Sequence, residues 1–159
     1  MSKETKNLTA NSLPWEKYKT VVEVQARWRD LDALNHVTNS VYFNYFEEAR
    51  IAFFRELDMF AASDAGPKKY ASLTSNLVRT GMEFRAAAYL GQKLLVCVRV
   101  SAIKKVFLDT EYEIFNKDSG KLIATGWAVN VLIDTVAGRM VSVPKEMIAK
   151  IEEWEGRKF

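Results

Sequence analysis

Two carboxylates (Asp30 and Asp32), one imidazole (His36) and two amides (Asn35 and Asn39) fall within one short stretch of the chain. Such a set can move protons. A carboxylate accepts a proton or attacks an electrophilic carbon, and an imidazole titrates in a range that suits transfer in either direction. The stretch runs directly into an apolar segment, from Val41 onward, with Thr38 and Asn39 in front of it as N-cap residues. A carboxylate on a loop before a helix N-terminus lies beside unpaired backbone N–H groups and the positive end of the helix dipole. That surrounding holds an acid ionised, and it can also receive an oxyanion that develops on a substrate.

The elements that must position these groups are legible in the hydrophobic pattern. From Thr20 to Asp30 apolar residues alternate, with Val22, Val24, Ala26 and Trp28 on one face and Glu23, Gln25, Arg27 and Arg29 on the other, which predicts a strand with one wet face. A helix follows from about Asn39 to Phe60, closed by Ser63-Asp64-Ala65-Gly66-Pro67. Tyr42, Tyr45, Phe46, Ala49, Phe53 and Leu57 keep helical spacing, while Val41, Phe43, Ala52 and Phe54 widen the apolar stripe beyond what a surface helix needs. Such a helix must be enclosed by a sheet, a partner chain or both. Strands are then expected near 75–86, 91–103, 105–116, 121–134 and 139–142, separated by the turns at Leu90-Gly91-Gln92, Asn116–Gly120 and Thr135–Gly138. Pro144 opens a last helix with Met147, Ile148 and Ile151 on one face. The expected class is α+β: a long central helix wrapped by a five- to six-stranded antiparallel sheet. Residues 1–18 are expected as a flexible N-terminal segment and 19–159 as a single domain. One sheet cannot cover the whole helix, so a homodimer or a dimer of dimers is expected.

Composition narrows the function classes. The chain is 48% hydrophobic and 27% charged, with a formal net charge of +3. The basic residues are scattered as pairs such as Lys68-Lys69 and Lys104-Lys105, which makes no nucleic-acid footprint. No run reaches the length of a membrane span and no signal peptide opens the chain, so a cytoplasmic setting is expected. Cys97 is the single cysteine, inside the apolar run Leu94–Val100, and reads as a small buried hydrophobe; it excludes disulfides and cysteine-built metal sites within one chain.

Residues 27–50 resemble the hotdog-fold acyl thioesterases, in particular the branch of 4-hydroxybenzoyl-CoA thioesterase and the YbgC- and FadM-like acyl-CoA thioesterases. That pattern is a strand ending D-x-D, a short loop, and H-V-x-N-x-x-Y-x-x-Y/F-x-E-x-A-R opening the helix; here it is carried by Asp30, Asp32, His36, Val37, Asn39, Tyr42, Tyr45, Glu47, Ala49 and Arg50. The resemblance implies a hotdog fold and hydrolysis of an acyl-CoA thioester, with coenzyme A part of the substrate, no separate cofactor and no metal. Acyl-ACP is the alternative carrier. It implies that Asp32 acts as general base or nucleophile, that backbone N–H groups near Asn39 polarise the thioester carbonyl, and that Thr38 and Tyr42 meet the substrate. Asp30 reads as structural, and His36 as catalytic or orienting. Glu47 and Arg50 most simply form an ion pair, although in another hotdog branch the catalytic carboxylate sits on this helix, so Glu47 is the fallback. The phosphates of CoA would meet Lys or Arg, with Arg79, Arg85, Lys104 and Lys105 as undifferentiated candidates. The chain departs from the acyl-ACP branch at Leu34 and Thr38, where that branch carries asparagines. A hydratase or dehydratase, or an acyl-binding module without turnover, are the alternatives; the former uses a D-x-N-P-x-H spacing, one residue longer than Asp32 to His36.

Overall fold

In the computed structural model, residues 12–59 and 70–159 are described. Strand β1 (Thr20–Gln25) leads to helix α1 (Asn39–Glu56), then to β2 (Leu73–Phe84), β3 (Lys93–Lys104), β4 (Phe107–Asn116), β5 (Leu122–Asp134), the two-residue β6 (Arg139–Met140) and α2 (Lys145–Glu155). All pairings are antiparallel, in the order β1-β3-β4-β5-β2, with β6 on β5. The period-two segments thus form one twisted sheet, and α1 lies across its inner face. This is the hotdog architecture, α+β, with six strands.

The inner face is set by the alternation. Leu94, Val96, Val98 and Val100 of β3 point to the helix with Leu108, Tyr112 and Ile114 of β4 and Ala124, Ala128 and Leu132 of β5, all buried. Tyr42, Tyr45, Phe46, Ala49, Phe53 and Phe54 cover them from α1. Removing each large apolar side chain from water contributes about 1.5–3 kcal/mol, so this one seam outweighs the helix's intrinsic propensity. Phe46 stacks on Tyr112 with centroids 4.3 Å apart. The approach is close enough that a Cβ at Gly126 would lie 2.3 Å from the Phe46 ring, so β5 carries glycine there. On the outer face Tyr18, Cys97 and Phe115 form a second small cluster with Trp15 against it. Within the expected N-terminal segment, then, Trp15 and Tyr18 dock on the sheet, while residues 1–11 lie outside the described part.

Two sequence expectations need correction. The first strand ends at Gln25 and not at Asp30, because the Asp30 carboxylate accepts the Arg27 amide at 2.9 Å and folds Trp28–Asp30 into a single 3-10 turn. Trp28 is consequently 81% exposed instead of lying on the buried face. Helix α1 stops at Glu56, earlier than expected. Asp58 takes the left-handed conformation (φ 52), its N–H reaches the Arg55 carbonyl, and the Met59 N–H reaches that of Phe54, a Schellman closure without glycine. The expected closing segment 63–67 falls outside the described residues.

Among the described residues, one side of α1 and one edge of the sheet lack cover. Phe43 and Ile51 are exposed on the helix. Among the described residues strand β2 pairs only with β5, leaving its other edge unpaired over twelve residues, and Leu77 and Val78 are about half exposed there. Among the described residues no helix is long and apolar enough to cross a membrane.

Candidate active site

The loop between the 3-10 turn and α1 is a miniature hairpin. Asp32 N–H donates to the His36 carbonyl at 3.0 Å, Asn35 N–H donates to the Asp32 carbonyl at 3.0 Å, and Leu31 pairs with Val37. Asn35 occupies the left-handed region (φ 62), which asparagine tolerates better than most residues. The loop is pinned from two sides. Val37 N–H donates to Ala88 O at 2.8 Å, and Thr38 N–H to Asp30 O at 2.9 Å. His36 also forms a bridge with Tyr89.

Inside this frame Asp32 uses its two oxygens differently. Oδ1 accepts the Leu34 N–H at 2.8 Å, an Asx turn that fixes the carboxylate plane. Oδ2 lies 3.2 Å from His36 Nδ1. Both side chains keep about a third of their surface in water (31% each), so the pair is held in place yet reachable. A carboxylate on Nδ1 selects the ring tautomer and leaves Nε2 as the nitrogen that exchanges protons outward. Immediately downstream, Thr38 is the N-cap, with extended backbone and no side-chain cap bond, and Asn39 and Ser40 begin α1. Their amides have no intrahelical acceptor, so the helix opens on free donors a few residues from the dyad.

Asp30, two residues before Asp32, is buried at 4% exposure. It receives Arg27 Nε at 3.1 Å and the Tyr45 hydroxyl at 3.2 Å as well as the Arg27 amide. Burial alone would raise its pKa; the Arg27 guanidinium and amide and the Tyr45 hydroxyl outweigh that and hold it below the usual carboxylate range. Burial and the adjacent Asp30 charge push the Tyr45 phenol up. Asp30 therefore fastens β1, the 3-10 turn, the loop and α1 at one point, and its role is structural.

Of the residues singled out in the sequence, Asp32, His36, Thr38 and Asn39 are brought into one loop. Tyr42 is buried beneath it at 2% exposure, edge-on to Phe84, its hydroxyl engaged with the Ala88 backbone. Glu47 lies eight residues into the helix from Asn39, roughly 12 Å along its axis, and pairs with Arg50 at 3.0 Å. It is not part of the Asp32 cluster within one chain. Cys97 is buried on the sheet's outer side, and burial first, then Glu113, pushes its thiol up to about 12. Among the candidate cations, Arg85 is paired with Glu83 and Lys104 with Asp109, while Arg79 is exposed. Two features went unread in the sequence: the Arg27–Asp30–Tyr45 clamp, and the bond from Arg50 Nη1 to Asn130 Oδ1 at 2.8 Å. Asn130 was detectable as the one amide among the inward-facing residues of an apolar strand. No group of three or more His, Cys, Asp or Glu that could hold a metal occurs among the described residues.

A long helix wrapped by an antiparallel sheet is the hotdog architecture, and an acid–imidazole pair stands just ahead of the helix N-terminus. Comparison with known proteins agrees: the Thioesterase-like superfamily matches residues 26–151, from the end of β1 into α2. The chain belongs to that superfamily and is a thioester hydrolase. A thioesterase from Thermus thermophilus, solved with coenzyme A and Zn, is similar at a TM-score of 0.75 and 27% identity over 91% of this chain and 99% of that one. Slr0204 from Synechocystis, a 1,4-dihydroxy-2-naphthoyl-CoA thioesterase, shares the fold at a TM-score of 0.69 and 20% identity, covering 83% of this chain and 94% of its own. The uncharacterized protein YsmA of Bacillus subtilis is 28% identical over 134 residues, 82% of this chain and 86% of that protein.

Proposed function

We propose that the chain hydrolyses an acyl-CoA thioester to the free acid and coenzyme A, with Asp32 as the reacting carboxylate. The observation that carries this reading is the Asp32–His36 pair at 3.2 Å, partly open to solvent at the start of α1. Hydrolysis needs a base or nucleophile at the carbonyl carbon and donors for the oxyanion. Asp32 takes the first role: it draws a proton from the attacking water, or adds to the carbonyl itself and expels the thiolate before water releases the acid. The amides of Asn39 and Ser40 take the second. His36, oriented by Asp32 through Nδ1, takes up a proton from solvent at Nε2 and delivers it to the departing sulfur. Coenzyme A as carrier is supported by its presence with the Thermus thermophilus relative; acyl-ACP remains the second carrier to assay.

The working unit in this reading is a homodimer joined along β2. An unpaired twelve-residue edge bearing Leu77 and Val78, next to Phe43 and Ile51 on the helix, is a surface that soluble proteins seldom leave uncovered. The thioesterase reading is tested by thiol release from a panel of acyl-CoAs. Wild-type protein should release thiol, and Asp32→Asn should lose about 10²–10⁴ in kcat/KM. If Asp32→Asn and Glu47→Gln both hydrolyse at the wild-type rate, Asp32 is not the reacting group and neither is the fallback on the helix.

A further inference from the structure

Between α1 and β2 lies a cavity of about 180 Å³, walled by Ile51, Phe54 and Met59 on its apolar side and by Arg50 and Ser75 on its polar side. A smaller hollow of about 80 Å³, lined by Phe43, Phe46, Leu77 and Tyr112, shares Glu47 and Arg50 with it. The Glu47–Arg50 pair is thus shared between the two hollows and carries the charge in their lining.

The two members of that pair are unequally placed. The Arg50 side chain is 11% exposed and the Glu47 side chain 58%, so the cation is inside and its anion largely in water. A guanidinium carries five N–H donors. Arg50 spends Nη1 on Asn130 Oδ1 and Nη2 on Glu47, and the fully buried Asn130 is itself anchored, donating through Nδ2 to the Leu108 carbonyl at 3.3 Å. Pinning α1 to β5 accounts for the Asn130 bond, and the Glu47 bond stays within α1. Neither accounts for Ser75, whose Oγ is enclosed and has no hydrogen-bond partner among the described residues. Ser75 pairs with Leu132 in the sheet register and so faces inward, toward the helix. A buried hydroxyl left unpaired is disfavoured, and here it sits on the wall of a cavity that also holds a guanidinium.

We propose that Arg50 and Ser75 bind a hydrogen-bond acceptor at the far end of the acyl group, so that the preferred substrates are acyl thioesters with a polar terminus and not plain hydrocarbon chains. This rests on the thioesterase reading of the Asp32 loop. The acyl chain would lie against Ile51, Phe54 and Met59, and its terminal oxygen would take the Ser75 O–H and a spare Arg50 N–H. The cavity has room for about six water-sized groups, enough for the end of a chain together with its polar cap.

The test is a binding measurement, independent of turnover. Thioether analogues of acyl-CoA, matched in chain length and ending in a methyl group, a methyl ketone or a carboxylate, are titrated calorimetrically into the full chain. An acceptor-ended analogue should bind about tenfold more tightly than its methyl counterpart. That ratio should fall toward one in Ser75→Ala and in Arg50→Lys. Ser75→Ala removes no hydrogen bond among the described residues, so it keeps the test decisive if Arg50→Lys fails to fold. Equal or tighter binding of the methyl analogue at every length, as when the cavity holds only water, overturns the proposal, and so does a preference that survives both substitutions. Absence of thiol release from acyl-CoAs of every terminus, plain and acceptor-ended alike, would instead count against the hydrolase reading, while the analogue ratio would still report on Arg50 and Ser75.

Discussion

Asp30 and Asp32 are two residues apart and have opposite uses, and the difference is their hydrogen bonding. Asp30 has both its oxygens claimed by Arg27, one of them also by Tyr45, and almost no access to solvent; Asp32 has one oxygen fixed by the Leu34 amide and the other turned to His36. Asp30→Ala should therefore cost folding stability, by about 1–3 kcal/mol for the donors it strands, measured by denaturant unfolding. The depressed Asp30 pKa also gives a sign. A carboxyl lower in the folded state than in the unfolded one adds stability above its unfolded value, near 3.9, and loses it as pH falls through the folded value. The wild-type protein should accordingly lose stability on acidification below about pH 4, and Asp30→Asn should show a shallower loss over that window. Cys97 offers a contrasting residue-scale test. With its thiol pushed up to about 12 and no solvent exposure, it should resist thiol reagents in the native protein and react only on unfolding.

At the scale of elements, what the sequence disclosed was whatever periodicity encodes. The alternation in β3 and β5 and the aromatic spacing in α1 placed the sheet and its central helix within a few residues, because one face of each must be buried. Boundaries were hidden where a side chain rather than glycine or proline ends the element. Asp30 bends β1 away by capturing the Arg27 amide, and Asp58 closes α1 in a left-handed turn that its residue type does not advertise. The candidate site was legible as a local string, Asp32 to Asn39, because its geometry is made by one hairpin. Partners distant in sequence, Arg50 with Asn130 and Arg27 with Tyr45 through Asp30, were not, since only the fold brings them together. The C-terminal end of α2 shows the same kind of distant contact. Beyond the reach of β1, the edge of β3 is capped by side chains: Val100 N–H donates to Glu155 Oε1 at 2.8 Å, and Arg157 donates to the Val100 carbonyl. Glu155→Ala should destabilise the fold by about 1–3 kcal/mol, read as a shift in the denaturation midpoint with an unchanged slope.

For the whole molecule, the described residues of one chain complete the sheet interior but leave the outer edge of β2 and one face of α1 open. Pairing along β2 would bury Leu77 and Val78 together with Phe43 and Ile51, and would enclose the cavity beside Arg50. In the proposed dimer, Val78→Lys together with Leu77→Lys places like charges across a symmetric edge, so sedimentation should show a dimer for the wild type and a monomer for the double variant, with loss of activity if the site needs both chains. The central claim, however, is about one carboxylate. The most direct measurement is thiol release by wild-type protein, Asp32→Asn and His36→Gln against the same acyl-CoA, with folding verified for each variant. Turnover is expected of the wild type, with a loss of about 10²–10⁴ for Asp32→Asn and a smaller but clear loss for His36→Gln. Wild-type rates in a folded Asp32→Asn protein would contradict it.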